Sequence, residues 1–284
     1  MSNLVQRTIT GVIFVSVIIG SILLSPLAFC ILFCLVALLS VFEFYKMVSD
    51  HEIKPQLIFG IIISFLLFGY VTYISQSFYR FNFSADINFV FKVPFVILLL
   101  FFMVFVFELF RKLNKPFINI SLTLAGIFYI VLPFSFFVCI GFASNTGVKY
   151  HPHLLLGFLY ILWANDTGAY VFGSRFGKHR LFERISPKKS WEGSIGGALS
   201  AFLAAYIISL FFSDLVLIDW FIMASIIIVA GTIGDLIESM LKRSQDKKDS
   251  GSIFPGHGGM LDRFDGLLLA APFVFFYLFF FEKI

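Results

Sequence analysis

Between Ser239 and Asp265 the chain reads SMLKRSQDKKDSGSIFPGHGGMLDRFD. Lys242, Arg243, Lys247, Lys248 and Arg263 crowd together there with Asp249, Asp262 and Asp265, around a Pro-Gly-His-Gly-Gly turn at Pro255–Gly259. Long apolar runs flank the stretch on both sides. Charge at that density, beside segments of membrane length, costs free energy unless it is solvated, paired or bound to something charged. Basic groups suit phosphate, carboxylates suit a divalent cation, and glycines let a backbone approach either closely. The competing reading is a solvated loop that obeys the positive-inside rule. It accounts for the lysines but not for the carboxylates and glycines among them.

Two more clusters carry the same chemistry. In Gly231-Thr232-Ile233-Gly234-Asp235-Leu236-Ile237-Glu238 the two acids are three residues apart, as are Asp262 and Asp265. Each pair shares a helix face if its segment is helical. Carboxylates so spaced can hold Mg²⁺, which keeps waters and binds substrate phosphates as well. Asp235, Asp262 and Asp265 are the expected ligands, and Glu238 is left outside that set. A salt bridge from Asp235 to Lys242, two turns along, is compatible with metal binding. Upstream, WANDTGAY places Asp166 inside an apolar run, where an ionisable side chain is a functional candidate. Gly168, Gly173 and Gly177 keep a helix face small, which serves close packing equally well. Ser186-Pro187-Lys188-Lys189-Ser190 then leads into a helix whose start is Glu192-Gly193-Ser194. Hydroxyls, ammonium groups and a helix N-terminus together make a phosphate site. A lone basic loop of this kind more often anchors to anionic lipid.

These clusters must be positioned by membrane helices. Of the 284 residues, 59% are hydrophobic and 13% are charged, against about 25% charged in soluble domains. About nine runs are long enough to cross a bilayer: Thr8–Leu24, Leu27–Phe42, Leu57–Ile74, Val93–Phe107, Phe117–Phe142, Leu154–Phe172, Ser194–Phe212, Asp219–Leu241 and Gly266–Phe281. The expected fold is all-α, a polytopic helical membrane protein. The first run exceeds a secretory h-region of about 7–15 residues and is read as an uncleaved span. Pro133 should kink or break the fifth. Cys30, Cys34 and Cys139 lie within apolar runs, so packing is expected of them rather than disulfides or metal. With the N-terminus inside and the C-terminus outside, only Arg80, Lys92, Lys149 and Lys283 of the 21 basic residues face out, a strong positive-inside bias. The chemistry then faces the cytoplasm from the cell's inner (plasma) membrane. Residues 1–150 are expected to pack and contact lipid, and residues 151–284 to carry the reaction on two basic cytoplasmic loops.

The run S-x-x-K-R-x(4)-K-D-x-G-x(2)-F-P-x-H-G-G-x-x-D-R-F-D over Ser239–Asp265 resembles the signature of the phosphatidate cytidylyltransferases, also called CDP-diacylglycerol synthases. Asp166–Tyr170 (DTGAY) and Ser186–Gly193 (SPKKSWEG) are similar to that family too. The resemblance implies that CTP and phosphatidic acid react to give CDP-diacylglycerol and pyrophosphate. It implies metal on Asp235 and Asp262 with Asp265 close by, Mg²⁺ as cofactor with room for a second ion, and Lys242 orienting Asp235. Ser186, Lys188, Lys189, Arg243, Lys248 and Arg263 are candidate substrate contacts. His257 either contacts phosphate or closes the glycine-rich turn. Membrane lipid is the expected surrounding partner, nucleic acid is not expected, and a homodimer is compatible with the reading.

Two rival classes are weaker. Asp262–Gly266 (DRFDG) opens like the CDP-alcohol phosphotransferase motif, but the residues after Leu267 are apolar and the second half of that metal site is missing. A transporter or channel would use Asp166 and Asp235 as ion ligands, yet no inverted repeat or pair of broken helices supports it. The inside-facing assignment of both basic loops is open to direct test. Single cysteines at Ser186 and Ser252, in a cysteine-free background, should react only with reagents that reach the cytoplasmic face. Reaction of either with an impermeant reagent in intact cells would refute the nine-span orientation.

Overall fold

The structure, a computed structural model, describes residues 3–78, 87–142, 150–251 and 258–283, without the side chains of 3–7, 77–78 and 87–88. His257, Ser252, Arg80 and Lys149 lie outside the described residues. Nine helical segments account for the nine apolar runs among the described residues: α1 (Asn3–Leu24), α2 (Pro26–Val48), α3 (Leu57–Phe78), α4 (Ile87–Arg111), α5 (Pro116–Phe142), α6 (Pro152–Phe176), α7 (Trp191–Phe211), α8 (Leu217–Ser244) and α9 (Asp265–Phe280). Seven are long and apolar enough to cross a membrane, and the apolar parts of α1 and α9 are shorter. A small antiparallel hairpin, β1 (Arg180–Phe182) and β2 (Ser186–Ser190), precedes α7. This is an all-α integral membrane protein with one short hairpin added.

The chain forms two compact units. The first comprises Met1–Lys149 together with Asp249–Arg263, and the second comprises Tyr150–Lys248 and Phe264–Ile284. The segment carrying Asp262 and Arg263 therefore packs with the N-terminal helices.

In the first unit, Ser25 separates α1 from α2. Its side chain accepts a hydrogen bond from Ala28 N–H at 3.1 Å, and Pro26 occupies the first helical position, where a missing N–H costs nothing. Phe29 and Phe33 of α2 meet Phe134 and Phe137 of α5, with ring centroids 5.1 to 6.1 Å apart. Lipid tails are as apolar as these rings, so close packing rather than water exclusion holds them. Tyr45 lies in the space that side chains at Gly60 and Gly126 would fill, and its hydroxyl donates to Thr123 C=O at 2.6 Å. Pro133 does not break α5. A π-turn at Ile127–Val131 precedes it and absorbs the hydrogen bond that proline cannot make.

In the second unit, α6 and α7 pack along small residues. A Cβ at Gly168 would strike Ser200 and the Gly196 carbonyl, and one at Gly193 would meet the Ala169 carbonyl. Close packing is thus the use the fold makes of Gly168. Buried Asp219 accepts a hydrogen bond from Tyr277 Oη at 2.7 Å and pairs with Lys283 at 3.2 Å. Between α7 and α8, Asp214 is gripped by His151 Nδ1 at 3.0 Å and His153 Nδ1 at 3.3 Å. Burial pushes the Asp214 carboxyl up, but the His151 hydrogen bond and the charges of His153 and His151 outweigh it and hold the group below its ordinary range.

A carboxylate whose pKa is depressed on folding contributes stability that is present above its unfolded value and lost as pH falls through the folded one. Thermal unfolding in detergent should therefore show Asp214→Asn less stable than wild type at neutral pH. The gap should close as pH drops below about 4, and a gap that persists there would show that Asp214 acts by packing alone.

Candidate functional site

The hairpin and three helices of the second unit build the site. Ser190, in extended conformation, caps α7 by accepting the Gly193 N–H at 3.1 Å. Glu192 in the first turn accepts from the N–H groups of Lys178 and His179 at 3.1 and 3.2 Å and pairs with His179 Nδ1 at 2.6 Å. Trp191 N–H donates to the His179 carbonyl. These bonds fasten the end of β2 to the start of α7, so Lys188 and Lys189 project beside a helix N-terminus. Both lysines line a cleft of about 600 Å³ together with Asp166, Ser190, Thr232 and Asp235. Its volume suits a small-molecule ligand.

Inside the cleft Lys189 Nζ lies 2.5 Å from Asp235 Oδ2 and 3.4 Å from the Thr232 carbonyl. The two basic and acidic clusters, far apart in sequence, share one wall. Lys242 pairs with Glu238 at 2.6 Å, whereas the sequence reading tied it to Asp235. The physical reason is helical pitch. Residue 238 is one turn from Lys242 and residue 235 is two, so the nearer carboxylate takes the ammonium group.

Asp265 opens α9, and its carboxylate reaches the same place. Asp235, Glu238 and Asp265 offer oxygens that all lie within 4.8 Å of one another. Glycine allows it: a Cβ at Gly234 would run into the Asp265 carbonyl, and Gly231 faces Gly266. Three carboxylates converging on one point are hard oxygen donors of the kind Mg²⁺ takes, so the residues present fit a divalent cation. Glu238, fully buried, was left outside the sequence-based set although its spacing from Asp235 was visible. Asp166 was singled out by its apolar setting, and it does line the cleft.

The remaining candidates lie elsewhere. Ser186 pairs with Phe182 at the far end of the hairpin. Arg243, in the last turn of α8, and Lys248, just beyond it, are exposed. There Asp246, at φ 51°, lets Lys247 N–H return to the Lys242 carbonyl, a left-handed helix stop, and Arg243 Nη1 donates to the Lys247 carbonyl at 3.3 Å. Asp262 does not share a helix face with Asp265. It sits in a 3₁₀ turn, Leu261–Arg263, of the first unit, with Arg263 exposed beside it. Its Oδ2 accepts Ser250 N–H and Ser250 Oγ, both at 3.0 Å, and Gly259 N–H at 2.8 Å. Gly258, at φ +83°, turns the backbone around that carboxylate.

Residues 5–281 match the Cytidylyltransferase family, and the chain belongs to that family. A Bacillus subtilis (strain 168) protein named phosphatidate cytidylyltransferase is 34% identical over 98% of both chains. Proteins of the same name from Haemophilus influenzae and Staphylococcus haemolyticus are 45% and 40% identical over 48% and 57% of this chain, which correspond to 49% and 60% of theirs.

The approach at Gly234 is testable. Gly234→Ala should destabilise the protein by about 1–3 kcal/mol, the usual cost of overpacking, read as a lower unfolding temperature in detergent. Gly20→Ala, at a site with nothing within 4 Å, should be neutral. Equal behaviour of the two would refute the glycine-mediated contact.

Proposed function

We propose that this protein is a phosphatidate cytidylyltransferase that uses CTP and phosphatidic acid to make CDP-diacylglycerol and pyrophosphate. The observation that carries the reading is the cleft in which Lys188 and Lys189, beside the N-terminus of α7, face Asp235. A phosphate oxygen of phosphatidate would attack the α-phosphorus of CTP. The bond from that phosphorus to the oxygen bridging to the β-phosphate breaks, and pyrophosphate departs. No nucleophilic side chain is needed.

Lys188, Lys189 and the positive N-terminal end of α7 would bind the triphosphate and offset charge that builds on it in the transition state. A substrate phosphate competes with Asp235 for Lys189, so nucleotide binding would release that carboxylate. Asp235 and Asp265 would hold Mg²⁺, with Glu238 completing the set; Asp262 is a candidate ligand by the signature alone. The ion supplies charge neutralisation on the phosphates. Lys242, by pairing with Glu238, keeps that carboxylate in place. We assign the cleft to the cytoplasmic face because most lysine and arginine falls on that side in the N-in arrangement.

The test is to incubate the purified protein in detergent with phosphatidate, Mg²⁺ and labelled CTP, and to extract labelled lipid. Wild type should form it and lose it on chelation. Asp235→Asn and Lys189→Ala should each lower kcat/KM by more than about tenfold with the fold intact. A folded wild type that labels no lipid across a range of metals and lipids would sink the proposal.

A further inference from the structure

One carboxylate that the proposed reaction leaves unused is Glu43, near the end of α2 in the first unit. It is only 3% exposed. Its Oε2 accepts the Leu261 N–H at 3.0 Å and lies 3.4 Å from Ser250 Oγ. Its Oε1 has no hydrogen-bond partner among the described residues. The same Ser250 hydroxyl donates to Asp262 Oδ2, which also takes the Ser250 and Gly259 N–H groups. Glu43 therefore touches both described ends of the signature segment, and through Ser250 it stands one residue away from Asp262.

Two glycines make room for it. A Cβ at Gly251 would collide with Glu43 Oε1, and one at Gly259 with Glu43 Oε2 and Ser250 Oγ. The glycines of the signature at these two positions are thus occupied by a carboxylate reaching in from another helix. Packing alone does not account for this arrangement. A buried carboxylate with one oxygen unpaired costs free energy that a leucine would avoid. The carboxylate is retained where an acceptor is required.

We infer that Glu43 is a positioning residue for the reaction: it joins the Ser250 and Leu261 ends of the signature segment and so fixes the orientation in which Asp262 is presented. The inference rests on the proposed role of Asp262 in cytidylyl transfer, while its structural half stands on the contacts of Glu43 alone.

The experiment uses the full chain in detergent, as wild type, Glu43→Ala and Glu43→Gln. It measures kcat, KM for CTP and phosphatidate, the half-saturating Mg²⁺ concentration, and amide hydrogen exchange of peptides covering 249–263 and 116–131. In Glu43→Ala, kcat should fall by more than about tenfold while the KM for phosphatidate stays near wild type, and half-saturating Mg²⁺ should rise. Exchange should accelerate over 249–263 and remain unchanged over 116–131. Glu43→Gln keeps an oxygen for the Leu261 N–H and should restore most of the rate and bring exchange back to the wild-type level. Wild-type kinetics and exchange in Glu43→Ala would overturn the inference. So would a glutamine variant no better than alanine, or faster exchange across both regions, which is general damage to the fold. If wild type makes no CDP-diacylglycerol the proposed function fails, and the exchange pattern alone still decides whether Glu43 anchors the segment.

Discussion

Negative charge inside an apolar helix bundle is the constraint on which the second unit turns. Asp235, Glu238 and Asp265 bring their oxygens within 4.8 Å of one another, and like charges so close repel strongly where water is scarce. Lys189 answers Asp235 and Lys242 answers Glu238. Two ammonium groups set against three carboxylates leave the cluster short of positive charge, and Asp166 is near enough to Asp235 and Lys189 to deepen the deficit. A cluster balanced in this way favours a cation and can still exchange a lysine for a phosphate, because the Lys189–Asp235 pair is partly exposed. Lys189 in particular comes from the edge of the hairpin rather than from a helix interior.

The backbone had to give way before those charges could meet. Gly231 and Gly234 on α8 let the first turn of α9 approach until the Asp265 carbonyl fills the space of a side chain. Gly193 and Gly168 do the same between α6 and α7. In a bilayer, where helices gain little from hiding apolar surface, such close approach is a main source of association. The contacts that hold the second unit together and the contacts that assemble its carboxylates therefore use the same residues. Substitutions at these glycines should affect stability and chemistry together, whereas substitutions at the lysines should separate them.

Much of this was legible in the sequence, for identifiable reasons. Apolar runs of bilayer length locate all nine helical segments because membrane spans carry their signal in composition over many residues. Asp235, Asp265, Lys188 and Lys189 were marked by charge where charge is costly. The hairpin was not visible: Arg180–Phe182 and Ser186–Ser190 are short and polar, and what holds them is the distant cap and Glu192 rather than alternation of apolar residues. The pairing of Lys242 with Glu238, one turn away, was not anticipated beside the one expected with Asp235. Pro133 was expected to kink or break the fifth run, and the π-turn that precedes it leaves no mark in composition. Glu43 was passed over because it directly follows the apolar run Leu27–Phe42, although it lies in the same helix.

Sequence alone could not have told which of the acids in the N-terminal helices is unusual, because Glu43 and Glu108 look alike there. Each is a single carboxylate in an apolar helix, and each is buried, at 3% and 2% exposure. The structure separates them by how their oxygens are satisfied. Glu108 accepts from Asn119 Nδ2 on one oxygen and from Gln56 Nε2 and Arg111 on the other, at 2.6 to 2.8 Å. Arg111 and Asn119 in turn bind the backbone of Lys54. Both oxygens of Glu108 are thus paired: its charge is balanced and the product is a fixed loop between α2 and α3. Among the described residues Glu43 has no cationic partner of this kind, one oxygen without a hydrogen bond, and a like charge, Asp262, close by. A buried polar group that is fully paired supports a fold, while one left partly unpaired is an expense that folding alone does not explain. By that criterion Glu108 belongs to the scaffold, and Glu43 belongs with the segment that carries Asp262.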